Sequence, residues 1–416
     1  MERRVVVTGL GAITPIGNTT EEFWDSLKEG KCGVDEITLF DTTGYKVKNA
    51  AEVKNINFED YYNKKEIRRL DRNVIFSLIA TKEAIKDANI DLKSETNTIN
   101  PERVGVVVSS GIGGIITIQD QCKVLNEKGP DRISPFFIPM SISNMPAGNI
   151  SIETGAKGES LAIITACASS TNSIGESYRI IKNGYQDVVI TGGCEAAITE
   201  ISIGGFAQMR ALSTNIDKNR ASIPFDKQRD GFVMGEGSGV LILEDLEHAQ
   251  KRRAKIYAEI VGYSATSDAY HITAPAETGE GAKRAMANAV AEAKIEAKDI
   301  TYINAHGTST PMNDKIETNA IKSLLGEDAK KACISSTKSM TGHLLGASGA
   351  VEAIACIKSI ENDYIPATIN YKEEDPECDL NYVPNKSISK KVKYAMSNSL
   401  GFGGHNSSII FKKYEK

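Results

Sequence analysis

No uninterrupted apolar run of about 18 residues occurs in this sequence, so no membrane-spanning helix is expected. Positive charge is in short supply as well. The chain carries 54 acidic against 49 basic residues, a net charge of −5, which gives no global attraction to nucleic acid or to an anionic membrane. Any acidic partner must then be met by a local basic patch. The opening Met-Glu-Arg-Arg, followed by Val5–Gly9, lacks the longer apolar region and small-residue cleavage site of a signal peptide. It reads instead as a first strand entering a glycine turn. Cys-x-x-Cys pairs are missing. The seven cysteines (Cys32, Cys122, Cys167, Cys194, Cys333, Cys356 and Cys378) are odd in number and scattered, which argues against a disulfide framework or a zinc site and for a reducing compartment. A cytoplasmic location is the expectation. No Walker-type Gly-Lys-Ser/Thr run is present, and Gly9-Leu-Gly-Ala-Ile-Thr-Pro-Ile-Gly17 has the wrong glycine spacing for a dinucleotide turn. Nothing in the sequence asks for a nucleotide, a flavin or a catalytic metal.

What is present is the balance of a soluble globular protein, with 41% hydrophobic and 25% charged residues. At 416 residues the chain exceeds one ordinary core, which predicts two halves. Short β-branched runs (Arg4–Thr8, Val104–Ser109, Leu161–Thr165, Asp187–Thr191, Val240–Glu244, Tyr257–Tyr263, Thr301–Asn304, Ala332–Ser335 and Ser407–Phe411) predict strands buried on both faces. Helical patterns lie between them at Asn73–Asp87, Ser170–Asn183, Gly281–Ala293 and Gly349–Glu361, so the alternation predicts an α/β protein with covered sheets. The charged stretch Asp245–Lys255 marks the seam, giving halves of 1–255 and 256–416. No low-complexity linker separates them. The tracts 46–72 and 121–145 have weak periodicity and are expected as insertions over the sheets.

Four segments stand out chemically. In Leu161-Ala-Ile-Ile-Thr-Ala-Cys-Ala-Ser-Ser170 a strand runs into a helix with Cys167 at its N-terminus, where the dipole and free N–H groups lower a thiol pKa and can hold an oxyanion. On this segment alone a buried structural cysteine is an equal alternative. In Ile303-Asn-Ala-His-Gly-Thr-Ser-Thr310, and again in Ser335-Ser-Thr-Lys-Ser-Met-Thr-Gly-His-Leu-Leu-Gly-Ala-Ser-Gly349, a histidine follows a strand in a loop of small and hydroxyl residues. The chain has only five histidines. With Cys167, His306 and His343 suggest a Cys/His/His constellation. In Asn398-Ser-Leu-Gly-Phe-Gly-Gly-His-Asn406 the glycines around Phe402 suit a gate, or simply a tight turn before the last strand.

With these motifs in this order, and with Ile223-Pro-Phe-Asp-Lys-Gln-Arg-Asp-Gly-Phe-Val-Met-Gly-Glu-Gly, the chain resembles the β-ketoacyl-acyl-carrier-protein synthases. It is most similar to the type II enzymes of bacterial fatty-acid synthesis, over nearly its whole length. The resemblance implies a thiolase-like fold, two similar α/β halves in a layered α-β-α-β-α core, usually a homodimer. It implies that Cys167 takes the acyl group from an acyl-carrier-protein thioester, with N–H groups of Cys167 and Phe402 as oxyanion hole. His306 and His343 would stabilise the enolate formed as malonyl-carrier-protein loses CO₂. Lys338 matches the lysine that organises the histidines, and Glu352 its carboxylate partner. Thr308 and Thr310 match hydroxyls that bind the phosphopantetheine arm, and Ile112, Phe137 and Phe206 match the acyl tunnel. Phe402 matches the gate, and Asp268–Thr273 a second mobile loop facing it. No cofactor is implied beyond the arm of the carrier.

Because the carrier protein is acidic, a basic patch is expected from Lys64, Lys65, Arg68 and Arg69 at helical spacing, with Arg210 and Lys128 or Arg132. Three residues depart from the family pattern: Leu400 for a common phenylalanine, His405 for a frequent threonine, and Asp131 in a usually basic region. His405 has no matching catalytic role. Rival readings are a type III condensing enzyme or a thiolase, whose cysteine partners differ, a type I or polyketide-type ketosynthase, and a non-catalytic chain-length subunit. Such a subunit lacks the nucleophile.

Overall fold

Apolar runs of the sequence become strands covered on both sides, and ten of them join in one sheet. The computed structural model describes residues 2–415. In chain order the strands are β1 (Val5–Ile13), β2 (Val104–Ser109), β3 (Ser160–Leu161), β4 (Val188–Glu195), β5 (Gly237–Asp245), β6 (Ala258–Ser267), β7 (Tyr302–Asn304), β8 (Cys333–Ser335), β9 (Tyr394–Gly401) and β10 (His405–Lys413). Five helices pack on them: α1 (Arg72–Ala88), α2 (Ser169–Lys182), α3 (Glu280–Ala293), α4 (Pro311–Leu325) and α5 (Ser348–Asn362).

The strand order is β8-β7-β9-β10-β6-β1-β5-β4-β2-β3. Each half therefore repeats the sequence third-second-fourth-fifth-first, outward to inward. The pairings repeat too. Second with third and second with fourth are parallel, while fourth with fifth and fifth with first are antiparallel. The halves meet where Val5, Val6 and Val7 of β1 pair with Ile260, Glu259 and Ala258 of β6.

Even the irregularity is duplicated. The register slips between Val7 and Gly9 of β1, and again where β6 passes from Ile260 to Gly262. A Cβ on Gly9 would stand 2.3 Å from the Ala84 carbonyl oxygen of α1, and one on Gly262 would stand 2.2 Å from that of Ala289 in α3. Each outer helix thus rests on bare strand backbone at the same place, which only glycine permits.

Alternate residues of each strand feed different cores. Val106, Val108, Ile190 and Ile242 pack beneath α1, whereas Val107, Val189, Leu241 and Leu243 face α2 and α5. In the second half Tyr302, Ala395 and Ile409 face the same central helices, and Ile303, Met396 and Ile410 face α3 and α4. The layers are α1, sheet, α2 with α5, sheet, α3 with α4. The central helix α5 is buried from Ser348 through Ile360. It meets α2 at their N-terminal turns, where Ala350 N–H donates to Ser170 Oγ at 3.0 Å. That crossing brings two strand-to-helix loops to one point.

Some expectations need correction. Gly9 and Gly11 lie within β1, not in a turn, because α1 needs both to approach. Only Ser160–Leu161 of 161–165 and its flank is strand; the rest leads into the helix start. The irregular tract 121–145 begins inside a helix, Ile115–Lys128. Strand β9 and helix α4 had no counterpart among the expected elements. Among the described residues no helix is long and apolar enough to cross a membrane, and all seven cysteines are free thiols.

Candidate active site

Cys167 sits in a 3-10 turn, Ala166–Ala168, that runs directly into α2. Ala166 is forced into the left-handed region at φ 51°, a strained conformation for a residue with a Cβ. The turn is braced locally: Ser169 Oγ donates to the Ala166 carbonyl at 2.7 Å and accepts from Thr165 N–H at 2.9 Å. Position at a helix start predicts an acidified thiol, but the balance falls the other way. Burial pushes Cys167 up to about 12, with Lys338 opposing and Glu195 and Glu352 adding to the rise. Ile112 and Phe206 belong to the same apolar cluster, and such a setting penalises a bare thiolate more than one helix end relieves it.

His306 follows β7 and His343 follows β8, two adjacent parallel strands. Their rings meet edge to face with centroids 5.3 Å apart. His343 Nδ1 is 2.8 Å from Ser348 Oγ, its carbonyl accepts from Gly235 N–H at 2.9 Å, and Phe232 packs against its ring. Burial, reinforced by the Lys338 charge, holds both imidazoles well below their usual 6.5. They are neutral near pH 7.

Lys338 lies at 1% exposure behind them. Its Nζ donates to the His306 carbonyl at 2.6 Å and forms an ion pair with Glu352 of α5. Neither residue lines the cavity, so the charge reaches the site through His306. Burial raises the Glu352 carboxyl and Lys338 lowers it; the contact geometry is that of an ion pair. Its Oε2 has no partner.

Cys167, His306 and His343 open on one cavity of about 790 Å³ that lies at the seam of the two halves. Ile112, Phe206, Leu345, Leu400 and Phe402 line its apolar part, and Thr308, Thr310, Thr273 and Arg210 its polar part. The Thr308 and Thr310 hydroxyls are 2.9 Å apart. The Phe402 ring stands 6.3 Å from that of Phe206. Gly401 beside it lies so close to the Cys167 turn that a Cβ would come within 2.7 Å of the Thr165 carbonyl oxygen. Its loop is tied to the facing one: Gly403 N–H donates to the Ile272 carbonyl, Asp268 N–H to that of Gly404, and Asn406 Nδ2 to Asp268 Oδ1.

Not every expected residue is gathered here. Phe137 sits half-buried outside the cavity, on a short helix, Phe137–Ser141, beside exposed Phe136 and Ile138. His405 lies against Gly403 and does not line the cavity. Lys64, Lys65, Arg68 and Arg69 are all exposed, the two lysines on a one-turn helix, Lys64–Ile67, begun by the Asn63–Glu66 capping box, and the two arginines just after it. Arg69 lies over the Phe136 ring at 4.6 Å. Arg210 stands exposed at the cavity mouth.

Sequence reasoning passed over three buried groups. Glu317 of α4 accepts from His306 N–H and Gly307 N–H, both at 2.8 Å, and burial pushes it up to about 7. Ser348 orients His343. Glu195 ends β4 and binds four donors. A glutamate inside a helical pattern, or at the end of a strand, gives no local sign that it is buried.

Residues 2–249 match the family described as Beta-ketoacyl synthase, N-terminal domain, and residues 257–372 match the Beta-ketoacyl synthase, C-terminal domain. The chain is 54% identical over 413 residues to the 3-oxoacyl-[acyl-carrier-protein] synthase 2 of Staphylococcus aureus (strain COL), covering 99% of each. It is 52% identical over 415 residues to the protein of the same name from Synechocystis sp., covering 100% of this chain and 99% of that one. Among solved structures, a ketosynthase complex with a type II PKS acyl-carrier protein superimposes with TM-score 0.91 at 35% identity, covering 100% of both chains. A beta-ketoacyl synthase from Burkholderia phymatum STM815 gives TM-score 0.91 at 33% identity, covering 99% of this chain and 100% of that one.

Proposed function

The chain belongs to the β-ketoacyl synthase family, with its thiolase-like fold, and from that premise we propose how its own residues carry out the condensation. The reaction is the joining of an acyl group from acyl-carrier-protein to malonyl-carrier-protein, giving 3-oxoacyl-carrier-protein and CO₂ in fatty-acid elongation. The observation that carries the assignment of residues is the convergence of Cys167, His306 and His343 on one cavity.

Cys167 sulfur attacks the acyl thioester. A C–S bond to the enzyme forms, the bond to the phosphopantetheine sulfur breaks, and the thiol proton leaves with that sulfur. A thiol raised to about 12 makes this exchange depend on the N–H groups of Cys167 and Phe402, which would hold the oxyanion as it develops. Malonyl-carrier-protein then enters. Its carboxylate leaves as CO₂, and the electron pair released forms an enolate whose oxygen takes hydrogen bonds from His306 and His343. Neutral imidazoles serve as donors here without a strong base, because loss of CO₂ creates the carbon nucleophile. That carbon attacks the acyl-Cys167 carbonyl, the C–S bond breaks, and the cysteine regains a proton from solvent. Lys338 keeps the imidazoles neutral by its charge and holds the His306 backbone; Glu352 balances that charge.

Ile112, Phe206 and Phe402 would receive the acyl chain, and Thr308, Thr310 and Thr273 the pantetheine arm. The acidic carrier would dock on Lys64, Lys65, Arg68, Arg69 and Arg210. A homodimer is supported by the free edge of β3, where Leu161 is exposed, as is Ile152 of the helix packed on that strand. Phe137 and Ile138 lie on exposed apolar surface suited to the same interface. We read units 1–255, with the nucleophile, and 256–416, with the histidines and gate, and a cytoplasmic location.

Intact-protein mass spectrometry tests the assignment. Wild-type enzyme mixed with acyl-carrier-proteins of several chain lengths gains the acyl mass, and Cys167→Ala does not. A folded wild type that gains no mass from any carrier rules the reading out.

A further inference from the structure

Register makes the two halves superimposable residue by residue near the site. β4 and β9 are both eight residues long, so Glu195, the last residue of β4, corresponds to Gly401, the last of β9. The 3-10 turn of the first half, with Ala166 at φ 51°, is matched in the second by Leu345 at φ 48° in a turn that leads into α5. Cys167 therefore corresponds to Gly346. Over the Cys167 amide, Gly401 leaves open the space an oxyanion would occupy. Over the Gly346 amide the equivalent space is filled by the carboxylate of Glu195.

That carboxylate is fully buried. Its Oε1 accepts from Ser110 Oγ at 2.6 Å and from Ile112 N–H at 3.2 Å; its Oε2 accepts from Gly111 N–H at 2.8 Å and Gly346 N–H at 2.9 Å. Four donors and no acceptor suit the ionised form, although burial pushes its carboxyl up. The two backbones it joins are in direct contact: a Cβ on Gly346 would fall 2.2 Å from the Gly111 nitrogen. Ile112 and Leu345 project from these backbones into the cavity beside Cys167.

We infer that Glu195 is a positioning residue that fixes Ile112 and Leu345 against Cys167 and so determines which acyl lengths the enzyme accepts. The inference rests on the condensing-enzyme reading above. The second half's oxyanion-type pocket has become a clamp, holding the mouth of the acyl channel by an anion of the protein's own. Because the donors are mostly backbone N–H groups, the clamp sets loop position and touches no substrate.

The test compares initial loading rates at Cys167 for short, medium and long acyl-carrier-proteins in wild type, Glu195→Gln, Ile112→Ala and the double variant. Glu195→Gln replaces one acceptor oxygen by a donor facing two N–H groups. The ratio of long- to short-chain loading is expected to change on the order of tenfold, the worth of a lost hydrogen bond to a charged group. Ile112→Ala should change the same ratio, and the double variant should add little to either. Malonyl-thioester decarboxylation by Glu195→Gln, a reaction that does not use the acyl channel, should stay within about twofold of wild type. Proportional loss at every length, or independent multiplication of the two single effects, overturns the inference. Should Glu195→Gln fail to fold, Ser110→Ala removes a single donor, and an unchanged length ratio there overturns it equally. Wild type that loads no chain would instead remove the condensing-enzyme reading, a result the length ratio does not mimic.

Discussion

His306 and His343 stand edge to face, ring centroids 5.3 Å apart and planes at 85°, His306 just past β7 and His343 after the helical turn Lys338–Thr341 that follows β8, two adjacent parallel strands. Burial and the nearby Lys338 charge hold both below their ordinary 6.5. The unfolded chain takes up protons on these imidazoles near 6.5; the folded chain does not. Their contribution to stability is thus full at neutral pH and is lost as the pH falls below 6.5, by up to about 1.4 kcal/mol per pH unit for each histidine. Glu83 and Glu317, both pushed up to about 7, act oppositely: their stabilisation is full in acid and fades as the pH rises through 7. Urea unfolding of wild type and His343→Gln, across about pH 5 to 8, separates the two. The variant should lose less stability on acidification, and parallel curves would show that His343 titrates normally.

The Lys338–Glu352 pair is buried, both side chains nearly inaccessible. Removing one partner leaves a buried charge uncompensated. Glu352→Ala should lower unfolding stability by about 3 kcal/mol or more, and Lys338→Met with Glu352→Leu together should cost less than the sum of the single changes. Chemical denaturation of the four proteins gives the coupling directly; strict additivity would mean that the charges do not interact.

The duplicated bulge makes a paired forecast. Gly9→Ala and Gly262→Ala each drive a methyl group into a helix carbonyl at the same point of their half. Each should destabilise by about 1–3 kcal/mol, and by similar amounts. Thermal melting of both variants checks this; a large cost at one position and none at the other would break the equivalence of the halves.

Carrier docking should respond to charge alone. Lys65 and Arg69 are exposed and do not line the cavity, so Lys65→Glu with Arg69→Glu should weaken carrier binding by about tenfold or more and flatten its salt dependence. Decarboxylation of a malonyl thioester of free pantetheine should be unchanged. Binding that keeps its strength and its salt slope would place the dock elsewhere.

Much of this arrangement was legible in the residues, for identifiable reasons. Val104–Ser109 reads as a strand because five of its six residues are apolar or small and both faces are covered. Asn73–Asp87 shows its helix because the stretch is long and free of glycine and proline, although only Lys86 and Asp87 of it are exposed. Cys167, His306 and His343 were visible through the small-residue loops around them. Strand β9 was not visible, since Tyr394-Ala-Met-Ser-Asn-Ser-Leu-Gly401 is half polar and Ser399 finds its partner only in Thr171, far away in sequence. Glycine at 9 and 11 read as a turn because sequence alone cannot tell a left-handed residue from one that a helix crosses. The thiol of Cys167 was expected to be acidic from its helix start, but its burial depends on residues far along the chain, among them Ile112 and Phe206. Glu195 left no trace at all: four donors converge on it from positions 84 residues before and 151 residues after it.

Because β1 and β6 are hydrogen-bonded to each other, one frame runs through both walls of the cleft. On the proposed reading, opening falls to the short segments around Asp268 and Phe402, which would be doors hung on that frame. Chain entry would then be timed by the two backbone hydrogen bonds between those segments and the Asn406–Asp268 contact beside them.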